Sequence, residues 1–104
     1  MNDNEVSKED KIYTVMANIP LGCVASYGQV AAMAGLASNA RLVGRLLKLM
    51  PKDSVIPWHR VINSQGKISF PEGSPQYLKQ YQLLQSEGII FKNGRVNMRI
   101  YSWQ

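Results

Sequence analysis

The chain holds one imidazole, His59, and one thiol, Cys23, among its 104 residues. An imidazole titrates near neutrality and suits proton transfer, but nucleophilic catalysis also needs a nucleophile within hydrogen-bond reach and a third group orienting the ring. The residue before His59 is Trp58, which offers no nucleophilic atom. Cys23, next to Val24 and Ala25, reads as a small buried apolar residue. A single cysteine excludes an intramolecular disulfide, and one Cys with one His cannot complete a structural zinc site. No metal or cofactor is expected.

The other candidate chemistry is cationic. Arg41, Arg45, Lys48 and Lys52 recur at i, i+4, i+7 and i+11. At about 100° per residue they share a sector of roughly 60° on a helix. Val43, Leu46, Leu47 and Met50 take the opposite side, and no acidic residue interrupts the stripe. A solvated helix face usually mixes signs, so an all-positive one suits phosphates. The charge of the whole chain agrees. Residues 1–10 sum to −3, whereas the rest carry 11 basic side chains against Asp53, Glu72 and Glu87, or +8. A polyanion is the partner this asymmetry implies.

The elements that must position these groups follow from local signals. Ser7 and Asp10 resemble a capping box opening a helix at 8–18, with Ile12, Val15, Met16 and Ile19 on one face. Ser26 and Gln29 open a second at 27–34, buried through Val30, Met33 and Ala34 and closed by Gly35. Ser38 or Asn39 caps a third that runs to Met50 and stops at Pro51. The second and third, joined by a short Gly-containing turn, read as a helix-turn-helix. Ser74-Pro75 starts a fourth at 75–86, ending at Gly88. Asn93-Gly94 between Ile89-Ile90-Phe91 and Val96-Asn97-Met98 is a hairpin signal, similar to the wing of a winged-helix domain. The expected fold is a single domain over residues 1–104, mainly α with small β elements, with residues 1–7 as a flexible lead-in. Residues 12–40 are uncharged, yet Asn18, Pro20, Gly22, Ser26, Gln29 and Gly35 break any run long enough to span a membrane. The acidic, polar N-terminus is unlike a signal peptide. A cytoplasmic monomer without membrane contact is expected.

The segment Pro57-Trp58-His59-Arg60-Val61 resembles the Pro-Cys-His-Arg-Val motif of the O6-alkylguanine-DNA alkyltransferases. Three further segments follow that family in order. They are Ser26-Tyr27 with Gln29-Val30-Ala31, Ala40-Arg41-Leu42-Val43-Gly44, and Leu83-Leu84-Gln85-Ser86-Glu87-Gly88. The resemblance runs from Ile12 to Phe91. The departure lies at the reactive position, where Trp58 stands in place of the alkyl-accepting cysteine. Without a thiolate there is no acceptor, so the chain is similar to the alkyltransferase-like proteins, which bind O6-alkylguanine without repairing it.

That resemblance implies double-stranded alkylated DNA as partner, nucleotide flipping into a pocket, and delivery of the site to nucleotide-excision-repair proteins. Arg41 would fill the vacated stack and Tyr27 would press on the phosphate beside the flipped base. Asn39, Arg45, Lys48 and Lys52 would hold the backbone. Trp58, Val61 and Phe70, with Tyr27, would line the lesion pocket, and His59 and Glu87 would remain as hydrogen-bonded support. Met50 stands where the active family has an Asn that braces the turn, which leaves the brace to be found. Two other readings stay open on the residues alone: a winged-helix transcription regulator of undamaged DNA, and an enzyme using Cys23.

Overall fold

The structure, a computed structural model, describes residues 6–104. The acidic residues Asp3 and Glu5, and with them most of the expected flexible lead-in, lie outside the described residues.

Helix α1, Lys8–Ala17, begins where extended Ser7 turns its Oγ to accept from the Asp10 amide at 3.0 Å. That bond satisfies one of the donors a helix start leaves unpaired. Ile12, Met16 and Ile19 are buried and Val15 is half-buried, as the spacing requires. Strand β1, Ala25–Ser26, runs straight into α2, Tyr27–Met33, because the Ser26 hydroxyl accepts from Gln29 N at 3.1 Å and starts the helix. The buried face of α2 runs through Val30 and Ala31. Met33, expected inside, is 50% exposed, since a stripe along Tyr27, Val30, Ala31 and Ala34 rotates it to the rim.

Gly35, at φ 77°, turns the chain towards α3, Ala40–Leu49. The α3 core face is the expected one, with Val43, Leu46, Leu47 and Met50 buried as α3 packs on α2. Beyond it a 3-10 turn, Trp58–Arg60, leads into β2, Val61–Ile62. β2 pairs in parallel with β1, Ala25 opposite Val61 and Ser26 opposite Ile62. Parallel pairing needs a long crossover, which the helix-turn-helix supplies. The pairing sets Tyr27, the residue after β1, beside the segment carrying Trp58 and His59.

Helix α4, Pro75–Ser86, starts at Ser74 as expected and ends before Gly88. The hairpin pairs β3, Phe91–Lys92, with β4, Arg95–Val96, through Asn93 and Gly94 at φ 54° and 74°, the left-handed pair of a type I′ turn. It is shorter than its apolar runs suggest, because Asn97 leaves the ladder to cap α5, Met98–Tyr101. The hairpin also fixes the preceding loop. Gly66 sits at φ 79° with the Val96 carbonyl packed where a Cβ would go, and its own carbonyl accepts from Val96 N at 2.8 Å. The C-terminal segment returns to β1: Trp103 N donates to Val24 O and Val24 N to Tyr101 O, both at 2.8 Å. Among the described residues no helix is long and apolar enough to cross a membrane.

Candidate nucleic-acid interface

Arg41, Arg45 and Lys48 project from α3 as exposed side chains, and none takes part in an ion pair among the described residues. They border a cavity of about 480 Å³ whose other walls are Tyr27, Ala40, Gly44 and Ser69, a size ordinary for a small-molecule cleft. Helix α3 passes close to the tyrosine at Gly44, where a Cβ would stand in ordinary contact with the Tyr27 ring at 3.8 Å. Burial pushes the Tyr27 phenol upward and outweighs a hydrogen bond with the Ser69 side chain that acts the other way. The hydroxyl is therefore neutral at physiological pH and meets an anion as a donor, without charge repulsion. Asn39 occupies the N-cap of α3 without a side-chain capping bond, and it lines a neighbouring cavity with Arg41 and Arg45. Its amide is not spent on the helix.

Lys52 departs from the stripe. Helix α3 ends at Leu49, so the helical spacing cannot be carried to i+11. Its ammonium turns inward and donates to Leu47 O at 2.8 Å and Met50 O at 3.1 Å, carbonyls that the helix end leaves unpaired. It lies 4.8 Å from the centre of the Trp58 ring and 4.7 Å from that of Phe70, within cation–π range. Burial lowers its pKa. The expected phosphate contact is thus corrected to an internal brace, which also answers how the turn is held with methionine at position 50. Lys52 completes it from the main chain, where its carbonyl accepts from Trp58 Nε1 at 3.1 Å.

The expected pocket wall is also corrected. Trp58 is 1% exposed and Val61 fully buried, and neither borders the cavity beside Tyr27. An indole has a large apolar area to bury and one N–H to satisfy, and here both needs are met below the surface. Phe70 packs edge-on against Trp58 with centroids 6.1 Å apart and borders a different cavity, with Lys67, Glu72 and Tyr77. Of the residues assigned to the lesion pocket, Tyr27 alone lines the cavity of the basic face. Ser69, one residue before Phe70, provides the lip opposite it.

His59 and Glu87 form the support that the motifs imply. Glu87 Oε2 lies 2.7 Å from His59 Nε2 and accepts from Arg60 Nη2 at 2.8 Å. Glu87 Oε1 accepts from Arg60 Nε at 2.9 Å and from Gly22 N at 3.3 Å. Arg60 Nη1 completes the knot on Ile19 O at 2.8 Å, tying the motif segment to the end of α1. Burial raises the Glu87 pKa, but the bonds from Arg60, His59 and Gly22 prevail and bring it down to about 2. Sequence reasoning missed Gln80, which is 1% exposed and donates from Nε2 to His59 O and Val61 O at 3.0 and 2.8 Å. Its signal was available: an amide between Tyr77 and Leu84 on the inward face of α4 needs a polar target inside. Cys23 is half-buried in the turn before β1, and no metal-binding group of His, Cys, Asp and Glu occurs among the described residues.

Comparison with known proteins places this geometry. The family profile described as 6-O-methylguanine DNA methyltransferase, DNA binding domain, matches residues 7–89. A DNA base-flipping protein of Vibrio parahaemolyticus is 44% identical over 95 residues, covering 90% of this chain and 93% of the relative. The Alkyltransferase-like protein 1 of Schizosaccharomyces pombe is 36% identical over 99 residues, covering 90% and 92%. The crystal structure of S. pombe Atl1 in complex with damaged DNA containing O6-carboxymethylguanine superposes with a TM-score of 0.85 at 34% identity, covering 100% of this chain and 99% of that one. A Mycobacterium tuberculosis O6-methylguanine methyltransferase reaches 0.68 at 28% identity and covers 81% of this chain and 50% of its own. The match runs over nine-tenths or more of this chain with the base-flipping and alkyltransferase-like relatives, and over 81% of it, and half of the partner, with the methyltransferase. The protein belongs to the family of the 6-O-methylguanine DNA methyltransferase DNA-binding domain.

Proposed function

We propose that this protein binds O6-alkylguanine in duplex DNA by turning the nucleotide out of the helix, and that it transfers no alkyl group. The observation that carries the reading is the cavity between Tyr27 and α3, bordered by Arg41, Arg45 and Lys48, cations with no ion pair among the described residues. Relatives named for base flipping, and one solved with alkylated DNA, support it. The chemistry of transfer is missing from the sequence. Trp58 holds the position of the acceptor cysteine, and the chain's only thiol, Cys23, lies in another motif.

In this reading Arg45 and Lys48 neutralise phosphates and supply affinity without sequence information. Arg41, at the start of α3, enters the duplex and fills the stack. Tyr27 presses its neutral hydroxyl on the phosphate next to the extruded base. Extrusion costs a few kcal/mol of unstacking and unpairing, and less for a base whose pairing the alkyl group has weakened, so selection begins before the cavity is reached. The further steps, delivery to nucleotide-excision-repair proteins by a cytoplasmic monomer, belong to the same proposal.

The test is a duplex with 2-aminopurine as a fluorescent target base. Binding of the wild-type protein raises its fluorescence as the base leaves the stack, and Arg41→Ala and Tyr27→Ala each suppress the rise. Tight binding with unchanged fluorescence would contradict flipping. Preference for a particular undamaged sequence would favour a transcription regulator.

A further inference from the structure

The β3–β4 hairpin borders no part of the cavity beside Tyr27, yet it presents unbalanced charge as α3 does. Lys92 and Arg95 stand directly opposite each other across the ladder, and both are exposed. Like charges so placed oppose the pairing, and the tight Asn93-Gly94 turn between them keeps them together. From Gly88 to Gln104 the chain has three cations, these two and Arg99, and no acidic residue. Neither Lys92 nor Arg95 forms an ion pair among the described residues. The two border a cleft of about 430 Å³ together with Gln65, Asn93 and Asn97.

A line of exposed groups joins this hairpin to the recognition face. Between Lys67 and Phe70 exposure alternates: Lys67 and Ser69 are exposed, Ile68 and Phe70 buried. The two exposed side chains therefore leave the same side of the chain, as in an extended segment. Ser69 is the lip of the Tyr27 cavity, and Lys67 meets the hairpin tip, Asn93 and Gly94, around a second cleft. Arg41, Arg45 and Lys48 thus lead through Ser69 and Lys67 to Lys92 and Arg95. Glu72 also borders the second cleft but is not within ion-pair distance of these cations.

We propose that the hairpin is a second DNA contact, in which Lys92 and Arg95, with Lys67 between them and α3, bind backbone phosphates flanking the nucleotide that α3 and Tyr27 engage. The inference rests on the DNA-binding reading of the α3 face. Two cations held together by a tight turn suit neighbouring phosphates, which relieve their mutual repulsion and release counterions. An acidic protein segment would also satisfy the charges, but it would not require them to continue the line from α3. Phosphates carry no base information, so this contact adds affinity alike on damaged and intact DNA.

The experiment measures the salt dependence of binding to two duplexes of one sequence. They carry O6-methylguanine or guanine at the centre, with more than one helical turn on each side. Lys92→Ala/Arg95→Ala is expected to reduce the slope of log K against log salt by about 1.8 on both duplexes, two contacts at about 0.9 each, and Lys67→Ala by about 0.9. The ratio of the two affinities stays at its wild-type value. Lys79→Ala, which removes an exposed cation of α4 that borders none of these clefts, leaves the slope unchanged. The double variant relieves a like-charge pair at exposed positions, so folding is not at stake. A double variant with the wild-type slope overturns the second contact and leaves lesion binding intact. An equal fall for Lys79→Ala also overturns it, because net charge alone would then account for the effect. Equal wild-type affinity for the two duplexes overturns lesion recognition while the slopes still decide the hairpin, and no binding to either overturns both.

Discussion

Arg60 and Arg41 carry the same guanidinium to opposite ends of the molecule's electrostatics. Arg60 is bound on every nitrogen: Nε and Nη2 grip Glu87, and Nη1 donates to Ile19 O. Arg41 is exposed on a helix face that it shares with Arg45 and Lys48, and it has no ion-pair partner among the described residues. The first arginine neutralises a carboxylate within the fold. The second leaves its charge for something outside it. An unbalanced charge on a surface costs the fold little and attracts polyanions at long range, whereas a balanced one inside is held by its partners and costs much when one is removed. Position in the network therefore separates architecture from recognition where residue type does not.

The contrast breaks hardest at Arg60. Arg60→Ala leaves the buried Glu87 carboxylate without its strongest partner and is expected to cost about 3–5 kcal/mol in urea unfolding. Arg41→Ala should stay within about 0.5 kcal/mol of wild type in the same measurement. Equal costs for the two would erase the distinction.

Acid titration probes the same knot. The Glu87 pKa is depressed from its ordinary 4.5 to about 2, so its contribution is fully present above pH 4.5 and is lost as the pH falls through about 2. That contribution is on the order of 3 kcal/mol at neutral pH. Urea unfolding between pH 6 and pH 2 should show the loss, and Glu87→Gln should flatten that part of the profile. A wild-type profile already flat there would remove Glu87 from the account.

On the recognition side the effects move to binding. Arg41→Ala is expected to weaken the complex with an O6-methylguanine duplex by about 2 kcal/mol, near 30-fold, and to affect undamaged duplex much less. Matching losses on both duplexes would make Arg41 one more phosphate contact. The smallest effect separates Lys48 from Lys52. Lys48→Ala should lower the salt slope of binding to undamaged DNA by about 0.9 for one lost phosphate contact, and Lys52→Ala should leave it unchanged.

What the sequence discloses about this molecule divides by the range of the interactions involved. The starts of α1, α2 and α4 follow from Ser7, Ser26 and Ser74, whose hydroxyls bond an amide three residues on; such signals are complete within one turn of chain. The Glu87 support is implied by motifs and is present in the fold. The places that read wrongly depend on distant partners. Lys52 looks like a fourth stripe residue until the helix ends at Leu49 and its ammonium finds the last carbonyls. Trp58 looks like a pocket wall until the Lys52 carbonyl and Phe70 provide an interior for it. Gln80, the β1–β2 pairing and the return of Trp103 to Val24 span from 19 to 79 residues of chain, and no local pattern announces them. Helix α5, four residues long, is too short to carry a period.

Recognition without reaction can be tested in one experiment. The protein is incubated with duplexes containing O6-methylguanine or guanine, the two affinities are measured, and protein and DNA are then weighed intact. Tighter binding to the O6-methylguanine duplex is expected, with a protein of unchanged mass and a DNA that retains its methyl group. A protein heavier by one methyl group, or equal affinity for the two duplexes, would contradict it.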